Sequence, residues 1–161
     1  MSPKWIGFVV APVVAVVFGI ATGLSLGQDQ ERKDKEHETP LGKIMEKVQK
    51  HNIALTKATR TPAAFKKSQK DVEKLAKEMA KLAKDARPLS QDYLKNAKDQ
   101  PDPKKKWEEI MDEFAKLSDE LAVVAAKKGA DPAAVKTLYQ KRVKGTCTDC
   151  HNVFRVEENN F

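Results

Sequence analysis

The chain predicts an all-α protein, an antiparallel four-helix bundle preceded by an N-terminal transmembrane helix. Three observations predict it. Ala, Lys, Leu and Glu are plentiful, only 6% of the 161 residues are aromatic and only seven are Gly, a composition that favours helix over strand. From Leu41 onward the apolar residues recur at three- and four-residue spacing, the period of a half-buried helix. The first 27 residues carry a single charged side chain, Lys4. A chain of this length has room for one ordinary domain and excludes barrels and doubly wound enzymes of several hundred residues.

The N-terminal segment comes first. Trp5 to Leu26 reads as 22 residues without a charge, and at about 1.5 Å per residue it spans the roughly 30 Å of a bilayer core. Lys4 lies on one side, so the positive-inside rule keeps the N-terminus in the cytoplasm and sends everything after Gln28 outside. The alternative is a cleaved signal peptide, with Ala21 and Gly23, or Ser25 and Gly27, at the cleavage site. Its apolar run exceeds the roughly 7–15 residues of a usual signal core. No Cys lies near the segment, which excludes a lipoprotein anchor. Both readings export the rest. Residues 1–27 are therefore the anchor or uncleaved signal, residues 28–40 a polar tether of mixed charge containing His37, and residues 41–161 the bundle.

The first helix carries Leu41, Ile44, Met45, Val48, Asn52 and Leu55 and ends near Thr59. The second opens with Thr61 as cap and Pro62 at the first helical position, then runs through Phe65, Val72, Leu75, Ala76, Met79, Leu82 and Ala83 to Arg87-Pro88. The third opens on Asp102-Pro103, continues through Trp107, Ile110, Met111, Phe114, Leu117, Leu121 and Val124, and stops at Gly129. The fourth opens on Asp131-Pro132 and runs through Val135, Leu138, Tyr139, Val143, Cys147, Cys150, His151 and Phe154. Two tight connections imply antiparallel neighbours. The longer connection, residues 87–102, has room for a helical turn after Ser90.

Both cysteines fall in one motif, Cys147-Thr148-Asp149-Cys150-His151. This spacing is the attachment sequence of a c-type haem. Two thiols about one helical turn apart each reach a porphyrin vinyl group, and the adjacent imidazole meets the iron as proximal ligand. A thioredoxin-like pair wants a βαβ context, and a zinc site wants further ligands that no second CxxC or HxxxH supplies. A small structural disulfide between Cys147 and Cys150 is the remaining alternative.

A C-terminal helix carrying CxxCH, continued as Asn152, Val153, Phe154 and Arg155, resembles the class II c-type cytochromes, which comprise cytochrome c prime and its low-spin four-helix-bundle relatives. The resemblance covers about residues 38–158. It implies one covalent haem c held between the helices by Cys147 and Cys150, with His151 as proximal iron ligand and Arg155 close to it. It also implies a distal position early in the first helix, occupied by Met in electron carriers and by an apolar residue in five-coordinate gas binders. Met45 falls at that position. The bacterial cytoplasmic membrane, with the haem domain in the periplasm, is the implied location, or the soluble periplasm if the N-terminus is cleaved.

Bundle geometry agrees independently. Met45 is about four residues from its helix start and His151 about five from its helix end, so both sit roughly 6–8 Å from the same end of an antiparallel bundle. A thioether opposite an imidazole raises haem reduction potential. Met45 as plain core is the competing reading, and Met79 and Met111 fit core. His51, about 9 Å deeper on the other flank of the apolar stripe, suits the helix edge. The family often carries an aromatic-Arg-Gln run before the distal position. Here the stretch is Thr39 to Ile44, without the arginine, which leaves propionate anchoring open with Lys43 as a candidate substitute. Trp107, Phe114 and Phe154 suit either porphyrin packing or ordinary core.

Residues 41–86 hold 12 basic and 5 acidic side chains, and residues 87–161 hold 14 and 13. The first hairpin is thus the basic surface, suited to an acidic redox partner protein or simply to solvation. The family resemblance implies homodimers paired through the first two helices, which such a hairpin opposes. Nucleic acid is a poor fit, because Lys104, Lys105 and Lys106 run straight into Glu108 and Glu109. No nucleophile–base pair, hydrolase motif or phosphate loop indicates an enzyme. The leading expectation is a membrane-tethered monohaem cytochrome carrying single electrons on the non-cytoplasmic side. The alternatives are a five-coordinate binder of nitric oxide or carbon monoxide, and an anchored helical interaction module with a structural CxxC disulfide.

Overall fold

Helix starts in this chain repeat one local device. Thr39, Thr61, Asp102 and Asp131 each turn a side-chain oxygen onto a backbone N–H of the following turn, and a proline stands next in each case. The cap satisfies an orphan donor, while proline supplies a preset φ where its missing N–H costs nothing. The computed structural model describes Thr39 to Arg155. The expected membrane segment, residues 1–27, and nearly all of the tether lie outside the described residues. Among the described residues, no helix is long and apolar enough to cross a membrane.

The described chain is all-helical, without strands, and compatible with a helical bundle. Helix α1 spans Pro40–Ala58, α2 Pro62–Ala86 and α3 Pro103–Ala126. The last rod has three consecutive parts, α4 (Pro132–Thr137), a π-helical segment (Leu138–Val143) and α5 (Lys144–Phe154). Helical backbone angles persist through both junctions, so these parts form one continuous rod. Gly129, at φ 75°, makes the turn between α3 and α4, a conformation that a side chain would disfavour.

Helices α2 and α3 run antiparallel and share the broadest contact. Gln69 near the start of α2 donates to the carbonyls of Ala125 and Lys127 at 2.7 and 2.8 Å, while Arg87 just past its end pairs with Glu108 and Asp112. Small buried residues line this contact, Ala76 and Ala83 from one helix and Ala115, Ala122 and Ala125 from the other. Helix α1 packs on α2, and the last rod closes against α3.

Apolar side chains divide into two clusters along the rods. The main core gathers Leu55, Phe65, Val72, Met79, Phe114, Leu121, Val135, Tyr139 and Val143. A second cluster, at the end where α1 starts and α5 finishes, holds Leu41, Ala86, Ala97, Trp107, Ile110, Met111 and Phe154. The 87–102 connection folds over this end. It carries the expected turn, a 3₁₀ helix at Leu94–Asn96 whose approach is set by Ser90, the carbonyl of which accepts from Tyr93 and Leu94. Tyr93 stacks on Trp107 with ring centroids 6.3 Å apart, and Trp107 meets Phe154 edge-on at 5.2 Å. The Trp107 indole N–H donates to the Arg87 carbonyl at 3.0 Å, and the Asn96 amide donates to the Phe154 carbonyl at 2.9 Å.

Candidate functional site

Cys147, Cys150 and His151 all lie on α5, so the rotation of that helix decides what each can reach. The π segment governs the rotation. The Lys144 N–H bonds to the Tyr139 carbonyl, five residues back, so one extra residue is absorbed before α5 begins. The inward positions Val135, Tyr139, Val143, Cys147, Cys150 and Phe154 thereby take five turns over 19 residues, about 3.8 per turn against 3.6 for a regular helix. Without that absorption, Cys147, His151 and Phe154 would trail roughly 100–160° from Val135.

Tyr139, wholly buried in this segment, is pinned to α1. Its hydroxyl donates to the Asn52 main-chain carbonyl at 2.7 Å and also lies against the Asn52 Oδ1 and, at 2.9 Å, the Thr56 hydroxyl. The periodicity of the sequence placed Tyr139 in the core but gave no hint of this bond. Three successive four-residue steps, Val135–Tyr139–Val143–Cys147, are the sequence signal for the π segment, where apolar spacing alone predicts an ordinary helix.

Both cysteines are free thiols and partly buried. Cys150 packs against the end cluster, as do Met45, Ile44, Leu89, Tyr93, Leu94 and Val153. Met45 and the second thiol of the motif thus share one apolar surface although they are more than a hundred residues apart in sequence. Burial, helped by the neighbouring Cys147, pushes the Cys150 thiol up to about 12. Burial also raises Cys147, against the opposing charge of Lys144. The Cys147 thiol faces the Val143 carbonyl at 3.9 Å. Both groups stay protonated at neutral pH, unlike the lowered thiols of disulfide oxidoreductases.

His151 lies one residue further round the helix, on its exposed side, and its carbonyl accepts from the Arg155 N–H at 3.1 Å. Arg155 is exposed immediately after the helix end. His51 bridges to α2 instead, with Nε2 3.1 Å from Glu78 Oε2, which matches a place at the helix edge. Trp107 and Phe154 belong to the end cluster; Phe114 sits in the main core. Met79 and Met111 are both buried, one in each cluster.

Among the described residues, no three His, Cys, Asp or Glu side chains gather as a bare-metal site. The donor set is of another kind: two reduced thiols a turn apart, an imidazole beside the second, and a rim of half-buried apolar side chains with one thioether. That set fits a covalently held porphyrin, which needs two thiols for its vinyl groups and an apolar bed for its ring. Tyr93, Leu94 and Val153, which belong to this rim, were not singled out from sequence, because a connection and a helix end carry no periodicity that marks them. Comparison with known protein families, with curated proteins and with solved structures finds no match for this chain.

Proposed function

We propose that the chain is a monohaem c-type cytochrome built on an antiparallel four-helix bundle, tethered by residues 1–27 and carrying single electrons on the non-cytoplasmic side of a membrane. One observation carries the reading: Cys150 of the Cys147–Cys150–His151 motif packs against the same apolar cluster as Met45. Cys147 and Cys150 would hold haem c through thioethers, His151 would take the proximal position and Met45 the distal one. When bound, the group supplies an iron that takes up and releases one electron.

The chain's own residues do the rest. Ile44, Tyr93, Leu94 and Val153 offer half-buried apolar surface that keeps water from the ring. Low local polarity and a Met–His pair both favour the reduced state. Arg155 brings a positive charge beside His151. Tyr93 stacked on Trp107, with Phe154 edge-on to the indole, fixes the bed on which Met45 and Cys150 rest. An acidic redox protein is the proposed exchange partner.

Haem stain on a denaturing gel of the full chain, produced alongside a cytochrome c maturation system, tests the attachment. A stained band lost in Cys147→Ser/Cys150→Ser is expected, and an unstained wild-type band would leave the interaction-module reading in its place. The oxidised spectrum tests the distal ligand. A far-red Met-to-iron band that disappears in Met45→Leu is expected. Rapid carbon monoxide binding that Met45→Leu leaves unchanged would assign the five-coordinate alternative.

A further inference from the structure

The end of the molecule remote from the cysteine motif is built from two turns, and both are basic. Arg60 closes the α1–α2 turn, Lys66, Lys67 and Lys70 stand on the first turns of α2, and Lys127 and Lys128 follow α3; all six are exposed. Bonds between the elements bring these residues to one pole. Gln69 ties the start of α2 to the carbonyls of Ala125 and Lys127, and Lys136 on α4 donates to the Arg60 carbonyl at 3.3 Å. Three carboxylates dilute the pole, Asp71, Glu73 and Asp131; Glu73 pairs with Lys77, and Asp131 is spent capping the N–H groups of Ala133 and Ala134. Several surface cations elsewhere are paired: Lys84 with Asp119, Arg87 with Glu108 and Asp112, and Arg142 with Glu113 and Glu120.

The surface there is concave. Lys66, Lys67, Gln69, Lys70, Asp71 and Glu73 line a groove that Ala125 and Ala126 complete. Three lysines against Asp71 and a Glu73 already paired with Lys77 leave the groove positive, and with small apolar side chains beside them it suits an extended acidic chain better than a flat array of headgroups. The distance from the motif is also informative. Helix α1, 19 residues long, runs the length between the two ends, about 28 Å at 1.5 Å per residue.

We propose that this pole is a docking site for an acidic peptide segment of a partner protein, used for assembly rather than for electron exchange. Its position leaves the Met45–Cys150 end open while the partner is held. The assignment of roles rests on the haem reading; the binding itself does not. Charge attraction across such a surface acts mainly on encounter rate and falls with ionic strength.

The test uses the full chain in detergent, with and without haem, and a fluorescein-labelled polyglutamate peptide. Lys66→Glu/Lys67→Glu/Lys70→Glu reverses the pole, and all three side chains are exposed on a helix that Glu suits as well as Lys, so this variant keeps the fold. Lys95→Glu/Lys98→Glu/Lys104→Glu makes the same charge change at the motif end. The expected result is at least about tenfold weaker peptide binding in the first variant and less than about threefold in the second. Equal losses in both, or none in either, would overturn the proposal. Tighter binding of the wild type to phosphatidylserine vesicles than to the peptide, lost in the first variant, would replace the peptide by a lipid surface. In the haem-loaded chain, saturating peptide should leave reduction by a small neutral reductant unchanged. Slowing of that reduction would place the peptide at the motif end and sink the proposal. A chain that takes up no haem would overturn the cytochrome reading yet leave the peptide measurement intact.

Discussion

A phenol buried as fully as Tyr139 must place its proton on an acceptor, and here the acceptor is Asn52, on the helix that also carries Met45. Tyr139→Phe removes the donor and strands buried acceptors, so it should cost about 1–2 kcal/mol in urea unfolding. Burial also raises the Tyr139 hydroxyl above its ordinary value of 10.0. The folded state thus holds the phenolic proton more tightly than the unfolded chain. This stability is fully present below about pH 10 and is lost as pH rises through the raised value. The wild type should therefore keep its advantage over Tyr139→Phe up to about pH 10 and lose it only above that, read as a narrowing gap in urea midpoints. Composition and periodicity made Tyr139 a core residue, but its bond to Asn52 depends on which helix lies opposite, and one-dimensional spacing does not carry that. The motif residues were legible because their chemistry lies in adjacent positions. The rim residue Tyr93 was not, since its place depends on how the 87–102 connection folds over Trp107.

Among the elements, the helix starts were the most legible, because cap and proline are local signals: Thr61-Pro62, Asp102-Pro103 and Asp131-Pro132 each open a helix where expected. Within the last rod, regularity was the wrong expectation. The π segment accommodates one residue more than a regular helix would, while keeping Val143, Cys147, Cys150 and Phe154 on the inner side. Deleting exposed Gln140 should convert the segment to α-helix with that inner side unchanged. Circular dichroism and melting temperature should then hold or rise, and the far-red band of the haem-loaded chain should persist. Inserting an alanine between Gly145 and Thr146 instead rotates the motif by about 100°. That band should vanish while the helical signal remains. Loss of the band in both variants would mean that the π geometry itself, rather than the rotation it sets, is what the site requires.

For the whole molecule, hairpin-by-hairpin charge counting located the basic surplus in residues 41–86, yet the pole draws on both turns. Lys127 and Lys128 stand beside Lys66 and Lys67 because Gln69 reaches the end of α3. Sequence arithmetic divides a chain by position, whereas a bundle folds distant turns onto one surface. Length and helical content needed only composition and periodicity. The division of the core into two clusters needed the packed structure, since Trp107 and Phe114 are one repeat apart on α3 and belong to different clusters.

That division implies two tiers of local stability. Among the described residues, Ile44 alone of the partly buried apolar side chains packs against both clusters, so α5 and the 87–102 connection can open as a unit while the main core stays closed. Amide hydrogen exchange in the haem-free chain should separate accordingly. Protection at Cys150, Val153 and Phe154 should be lost through a low-energy opening, and protection at Leu55, Val72 and Leu121 only through global unfolding. Covalent haem would join the opening unit to α1, and the faster tier should then merge with the slower one.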